Sequence, residues 1–335
     1  MSETAGAVRT LNVGEDEADQ RLDRWFKRRF PALGHGRLEK LLRTGQVRVD
    51  GKRAKASLRL TAGQAVRVPP GVDAVFPGAA ARLTPKRRPV SEADARFVRS
   101  LVLHRDADVI VLNKPPGLAV QGGTSTPRHL DAMLDALTFD AAERPRLVHR
   151  LDRDTSGVLL LARNVRAAAR LAEAFRAKSA RKLYWALVAG VPRPSRGKID
   201  MALAKHGGPH GERVGEDKEA GKRAITLYAV VEAAGDRAAW LVLWPLTGRT
   251  HQIRAHCAGA LGTPIVGDAK YGGEAAALGG GEISRGLHLH ARSIEIAHPS
   301  GGSLALKAPL PPHMRATWAL FGFDVRADPD PFPTE

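Results

Sequence analysis

The chain has 335 residues, more than one hydrophobic core usually organises, so two domains are expected. Hydrophobic residues make up 43% and charged residues 26%, an ordinary globular composition that excludes fibrous and wholly disordered classes. Lys+Arg number 52 against 35 Asp+Glu, a net charge of +17, which points to a polyanionic partner such as nucleic acid, while the lack of a run of about twenty apolar residues argues against a membrane partner.

Residues 1 to 17 show no periodicity and lean acidic, and are expected to be a mobile tail. A compact pattern follows. In ADQRLDRWFKRRF, Leu22, Trp25, Phe26 and Phe30 fall at helical spacing. GRLEKLLRTG reads as a second helix with Leu38, Leu41 and Leu42 on one face and Gly45 as its stop. QVRVDGKR reads as a hairpin turning at Asp50-Gly51, and AVRV (65 to 68) as a further strand. From Arg21 to Pro70 there are fourteen Lys/Arg and three Asp/Glu, so this region carries most of the charge imbalance. RLDRWFKRRFP, GRLEKLLRTGQVRVDGK and LTAGQAVRVP, in this order and spacing, resemble the S4 domain, a small α/β RNA-binding module. The unit is drawn from 18 to 82. The resemblance makes Arg37, Lys40, Arg43 and Arg48 its expected RNA contacts.

Residues 83 to 98 continue a stretch rich in Pro, Ala, Gly and Arg and read as a linker. From 99 to 325 one larger α+β domain is expected, with residues 326 to 335 as a tail. DVIVLNKPPG, GVLLLAR, KLYWALV, ITLYAVVE and AWLVLWPL read as strands, and NVRAAARLAEAFRAK as an amphipathic helix. Strands and helices do not alternate regularly, so a mixed, mainly antiparallel sheet with flanking helices is predicted. KHGGPHGERVGEDKEAG (205 to 221) is polar and Gly-rich and reads as a mobile loop.

The chemistry-bearing stretch is HRLDRDTSG (149 to 157), bracketed by apolar strand residues. Loops held by a rigid sheet commonly carry catalytic groups. A carboxylate among guanidiniums is ionised, which suits a nucleophile or general base rather than an acid. Spacing alone does not say whether Asp152 or Asp154 is the working group, and an isolated Asp is more often an ion pair or loop cap. Tyr184 alone would be an ordinary strand tyrosine. Lys114 could be scaffolding or could touch RNA. His288 and His290 alternate on a strand without Cys or acidic partners and are read as plain sheet. The single cysteine, Cys257, excludes an internal disulfide and a thiolate zinc site, and fits a reducing cytoplasm.

HRLDRDTSG resembles the catalytic signature of the RluA family of RNA pseudouridine synthases. LNKPPGLAVQGG (112 to 123), RKLYWALVAG (181 to 190), LTGRTHQIRAH (246 to 256), PIVGDAKYGG and LHLHARSIEIAHPSGG follow in the family's order. With the S4-like segment in front, the closest likeness is to the RluC-type branch. The resemblance implies that Asp152 is the catalytic aspartate, Tyr184 stacks on the target base, Arg254 pairs with Asp152, Ile253 forms an apolar wall, and Arg150 fills the gap left by the flipped base. It implies no metal and no cofactor. The implied substrate is 23S ribosomal RNA, met during ribosome assembly by a cytoplasmic monomer without a membrane partner. A transfer-RNA synthase, or an S4-type assembly factor with little catalysis, are the alternatives. Thr263, where relatives commonly have His, departs from the family pattern.

Overall fold

The computed structural model describes residues 8–72, 89–122, 126, 128–207, 213–279 and 281–332. The chain divides into two compact units, 1–88 and 89–335.

In the first unit, β1 (Arg9–Asn12) precedes α1 (Leu22–Arg29) and α2 (His35–Arg43). Then β2 (Arg48–Val49), β3 (Lys52–Arg53) and β4 (Ala65–Val68) complete an antiparallel sheet in the order β1-β4-β2-β3. Asp50 and Gly51 both have positive φ (49° and 73°), as a tight hairpin turn of this hand requires. α1 buries Leu22, Trp25 and Phe26, and α2 buries Leu38, Leu41 and Leu42. The same periodicity leaves Arg24, Lys27, Arg37, Lys40 and Arg43 exposed. Arg48 is different. It is half-buried, and its guanidinium donates to the carbonyls of Gly45 (3.1 Å) and Gly51 (3.0 Å).

The expected tail of residues 1 to 17 is a correction. β1 pairs with β4 in register Arg9↔Val68 to Asn12↔Ala65, and Val13 enters the core. Glu17 is buried, accepting from Trp25 Nε1 at 3.0 Å and from two Arg29 nitrogens at 2.7 Å. The Arg29 hydrogen bonds outweigh burial and hold its pKa down at about 2. The acidity that suggested a solvated tail is an anchor, and only residues 1 to 7 lie outside the described residues.

The second unit starts with α3 (Glu92–Ser100), β5 (Val102–Arg105), β6 (Val109–Lys114), α4 (Leu130–Met133), β7 (Arg146–Leu147) and β8 (Ser156–Ala162). It continues through α5 (Val165–Ala177), β9 (Arg181–Ala189), β10 (Arg196–His206), β11 (Arg213–Glu216), β12 (Lys222–Ala234) and β13 (Ala238–Pro245). It ends with α6 (Gln252–Ala255), β14 (Leu289–Ala297), β15 (Ser303–Lys307) and α7 (Pro312–Phe321). Among the described residues, eleven strands form one sheet with a main path β11-β10-β12-β13-β9-β14-β8-β6-β5; β15 joins β14 and β7 joins β8. Every pairing is antiparallel except β14 with β8, so the mixed, mainly antiparallel α+β fold is as expected.

Strand alternation assigns the two faces. In β6 and β8, Val109, Val111, Val158, Leu160 and Ala162 pack with Ala167 and Leu171 of α5. Ile110, Leu112, Leu159 and Leu161 pack the other way, with Val98 of α3 and Leu130 and Met133 of α4. Both faces are covered, so these strands read as continuous apolar runs. In β9, Leu183, Trp185 and Leu187 face Met314 and Trp318 of α7, while Ala186 and Val188 face the opposite side with Ile253. Tyr184, with their parity, joins that second side.

The β8–β14 contact is tight. Gly157 (φ 111°) lies beside Ala291, whose carbonyl oxygen would stand 2.2 Å from an added Cβ. Gly157→Ala is expected to cost about 2–3 kcal/mol through strain and overpacking, read as a lowered Tm in calorimetry. An unchanged Tm would refute the closeness of this pairing.

Three further boundaries move. The expected linker of 83 to 98 contains the start of α3, capped by Ser91 Oγ accepting from Asp94 N–H, with Val98 fully buried. In the expected tail of 326 to 335, Asp328 pairs with Arg292 (3.0 Å) and Lys307, Asp330 pairs with Arg181, and Phe332 is buried. Opposite charges and one aromatic hold that segment to the sheet. Within the expected loop 205 to 221, β10 and β11 pair from Leu203↔Glu216 to His206↔Arg213, and residues 208 to 212 lie outside the described residues. No helix of the described residues is long and apolar enough to cross a membrane.

Candidate active site

β7 and β8 pair from Arg146↔Ala162, and the segment between them, 148 to 155, carries Asp152. Its shape is fixed from three sides. His149 Nε2 accepts the Leu160 N–H at 2.8 Å, and its ring lies on Phe175 at 4.6 Å. Burial, and then the nearby Lys182, push the His149 pKa down to about 3, so the ring is a neutral acceptor. Lys114 Nζ, fully buried, donates to the carbonyls of Pro115 (2.9 Å), Leu118 (2.9 Å) and Arg153 (2.8 Å). Burial pulls its pKa down to about 7, against Asp154 and Asp152. Three carbonyls require three N–H donors, which only the ammonium form supplies. Lys114 is therefore scaffolding that ties the 115–118 turn to the loop. At the loop's end, Ser156 Oγ meets His290 Nδ1 at 2.8 Å.

Asp152 is half-buried between two clefts. The larger, about 890 Å³, is lined by Arg150, Arg153, Lys270 and Arg285 among others. The smaller, about 340 Å³, is lined by Tyr184, Ile253, Leu289, Phe175 and Trp244, with Lys182 and Arg249. Arg150, Asp152, His251 and Arg254 border both. Tyr184 has its hydroxyl pKa raised by burial and then by the charge of Asp152, so the phenol keeps its proton. Ile253 is 6% exposed and forms apolar wall. Arg150 is exposed at the rim. Asp154 turns aside to Arg153 at 3.1 Å. The sequence-derived residues of this domain thus converge, whereas Arg37, Lys40, Arg43 and Arg48 belong to the other unit.

The expected Arg254–Asp152 pair is present but loose, and Arg254 has a second, tighter carboxylate partner. Arg254 gives Nε and Nη2 to Asp268, at 2.8 and 2.7 Å, and only Nη1 faces Asp152, at 4.0 Å. Asp268 is 1% exposed, and a carboxylate so far from water requires a cation more than the partly exposed Asp152 does. Burial works to lower the Arg254 pKa, but the Asp268 hydrogen bonds and charge, with Asp152, raise it. Asp268 was not singled out from the sequence, because nothing local in GDAKYGG distinguishes a buried ion-pair partner from a turn residue.

His251 and Gln252 were also missed as working residues. His251 Nε2 is 3.8 Å from Asp152 Oδ2. The Gln252 carboxamide accepts from Thr247 Oγ1 (2.7 Å) and Arg249 N (3.0 Å) and donates to Ile225 O (2.9 Å) and Thr226 Oγ1 (3.0 Å). All its polar capacity is used. That anchors the one-turn α6 and so aims Ile253 and Arg254. His288 and His290, the metal-like pair, have both ring nitrogens engaged: with Gly286 O and Thr317 Oγ1, and with Ser156 Oγ and Ala308 O.

A cleft with a carboxylate, an aromatic face, an apolar wall and a basic approach can receive one base turned out of a polyanionic strand. Comparison with known proteins agrees in kind. The sequence profile of the family described as RNA pseudouridylate synthase matches residues 108–259. RNA pseudouridine synthase 4, mitochondrial, of Arabidopsis thaliana is 37% identical over 89% of this chain and 78% of its own. Ribosomal large subunit pseudouridine synthase C of Pasteurella multocida is 38% identical over 92% of each chain. The protein of that name from Rickettsia conorii is 35% identical over 87% of this chain and 94% of its own. Among solved structures, human RNA pseudouridylate synthase domain containing 4 superposes with a TM-score of 0.57 at 27% identity, covering 69% of this chain and 96% of that one.

Proposed function

This chain belongs to the RluA-type RNA pseudouridine synthases, and from that premise we propose that it isomerises specific uridines of 23S ribosomal RNA, with Asp152 as the reacting carboxylate. The observation that carries the reading is the position of Asp152 at the mouth of a 340 Å³ cleft walled by Tyr184 and Ile253. In the isomerisation the N1–C1′ bond breaks, C5 takes the place of N1 on C1′, the C5 proton leaves, and N1 ends protonated. Asp152 can attack C1′ or take the 2′ proton. Flipping the base costs a few kcal/mol, and stacking on Tyr184 returns about 1–3 kcal/mol. Arg150 stands at the rim where it would fill the vacated stack. The names of the bacterial relatives, matched over nearly their whole length, support the ribosomal substrate.

The first unit acts in this reading as an S4-type RNA-binding domain. The exposed Lys40 and Arg43 of α2 support it. Replacing both by Glu is expected to weaken binding to ribosomal RNA and lower the slope of log K against log salt by about 1 for each lost phosphate contact. An unchanged slope would remove those two residues from the interface. The reading as a whole is tested by mapping pseudouridine in ribosomal RNA from cells lacking the protein. Marks lost from 23S RNA and restored by the wild-type chain support it. Marks lost only from transfer RNA replace the substrate. A growth defect without lost marks turns the reading into an assembly factor.

A further inference from the structure

His251 precedes α6 with φ 51° and ψ 21°, a left-handed conformation. For a residue with a Cβ this costs on the order of 1–3 kcal/mol and persists only where the surroundings impose it. Here they do. The His251 carbonyl accepts from Ala255 N–H at 2.9 Å, and the ring Nδ1 lies 2.7 Å from the Tyr271 hydroxyl.

That hydroxyl bears on the tautomer. The Tyr271 oxygen accepts the Val214 N–H of β11 at 3.1 Å, and His251 Nδ1, at 2.7 Å, is the acceptor placed to take its proton. An imidazole whose Nδ1 accepts carries its proton on Nε2 in the neutral form. Nε2 is the atom 3.8 Å from Asp152 Oδ2. The groups facing the ring are Asp152, Arg254, Lys270, Asp268 and Tyr271. Burial lowers the His251 pKa below its ordinary value despite the pull of Asp152, so the ring is neutral at pH 7.

Tyr271 is itself clamped. The Arg213 guanidinium of β11 lies 5.3 Å from its ring centroid and donates to its carbonyl at 3.1 Å. The Arg254 guanidinium lies 5.0 Å from the same centroid. Arg254 is bound to Asp268 through Nε and Nη2, which leaves only Nη1, at 4.0 Å, toward Asp152.

We propose that His251 is a positioning residue for Asp152: a neutral imidazole whose Nε2–H closes on Oδ2 when the nucleotide enters, kept in that tautomer by Tyr271 and, through Val214, by the β10–β11 hairpin. What Asp152 then does rests on the uridine reading above; the pairing itself does not. A donor at Oδ2 leaves Oδ1 as the oxygen that reacts and fixes the plane of the carboxylate.

The test has two arms on the full chain. In the first, nitrogen-15 NMR of labelled histidine follows His251, assigned by its loss in His251→Phe. The Nε2–H tautomer is expected, with a pKa below the ordinary 6.5 that falls further in Asp152→Asn, since the carboxylate favouring imidazolium is gone. An Nδ1–H tautomer, or a titration indifferent to Asp152→Asn, overturns the proposal whatever the substrate. In the second, pseudouridine formation is timed on a ribosomal stem-loop. His251→Phe, which keeps a ring but lacks the donor, should lower kcat about 10²-fold with KM for RNA nearly unchanged. His251→Gln, whose Nε2 reaches the same place, should recover most of that loss. Wild-type kcat in His251→Phe, or no recovery in His251→Gln, overturns the proposal. A wild-type chain that forms no pseudouridine in ribosomal RNA would instead remove the uridine reading, with the pairing still decided by the first arm.

Discussion

Asp152→Asn should leave a folded protein that binds RNA yet forms pseudouridine about 10⁴-fold more slowly or worse, as expected when the reacting group itself is removed. The structure makes this substitution clean. The Asp152 side chain is 23% exposed, and its ion-pair partners, His251 and Arg254, stand at 3.8 and 4.0 Å, beyond hydrogen-bond length. Loss of the charge leaves the buried cations held: Arg254 keeps both bonds to Asp268, and Lys114 keeps its three carbonyls and the charge of Asp154. Asparagine has the same shape and can neither attack C1′ nor take a proton. Single-turnover conversion of a uridine stem-loop reads the chemistry, and gel-shift affinity reads binding. Conversion within about tenfold of wild type would move the chemistry to another group, since general-base help alone is worth 10²–10⁴. A matching loss of affinity would show instead that the carboxylate holds substrate.

Asp268→Ala should be the most destabilising change at the site, by about 3–5 kcal/mol. Asp268 and Arg254 are 1% and 7% exposed. Without the carboxylate, a buried guanidinium loses two short bonds, and the Tyr271 N–H loses its acceptor at 3.2 Å. Urea unfolding followed by tryptophan fluorescence measures this well: of the five tryptophans only Trp25 lies outside residues 89–335. The midpoint should fall with little change in slope. Activity should fall too, because an unpaired Arg254 turns fully to Asp152 and binds the oxygens meant for substrate. A stability loss below about 1 kcal/mol would mean that the pair is hydrated in solution, as surface pairs are.

Much of this was legible in the chain. The helical spacing of Leu22, Trp25 and Phe26, the Asp50-Gly51 turn, and the apolar runs of β6, β8 and β13 report backbone periodicity and turn chemistry, which are local. The placement of Tyr184 opposite Trp185 follows from strand parity alone. The segments misread were those whose order comes from elsewhere. β1 is four residues long and exists because β4 pairs with it. Asp328 and Asp330 are held by Arg292, Lys307 and Arg181, distant in sequence. Their composition is that of tails, and no nearby residue reveals the partner.

The site divides along the same line. Motif order singled out Asp152, Tyr184, Ile253 and Arg254, and the sequence by itself determined which residue types were available and that the domain would be a mainly antiparallel sheet. It could not say which carboxylate Arg254 serves. That was decided by burial: Asp268, fully desolvated, takes the guanidinium, and Asp152, still touching water, is left facing one Arg254 nitrogen and the His251 ring. Pairing between charges depends on distance and solvent exposure, and both exist only once β7, β8, α6 and the 264–273 segment have been brought together by the fold.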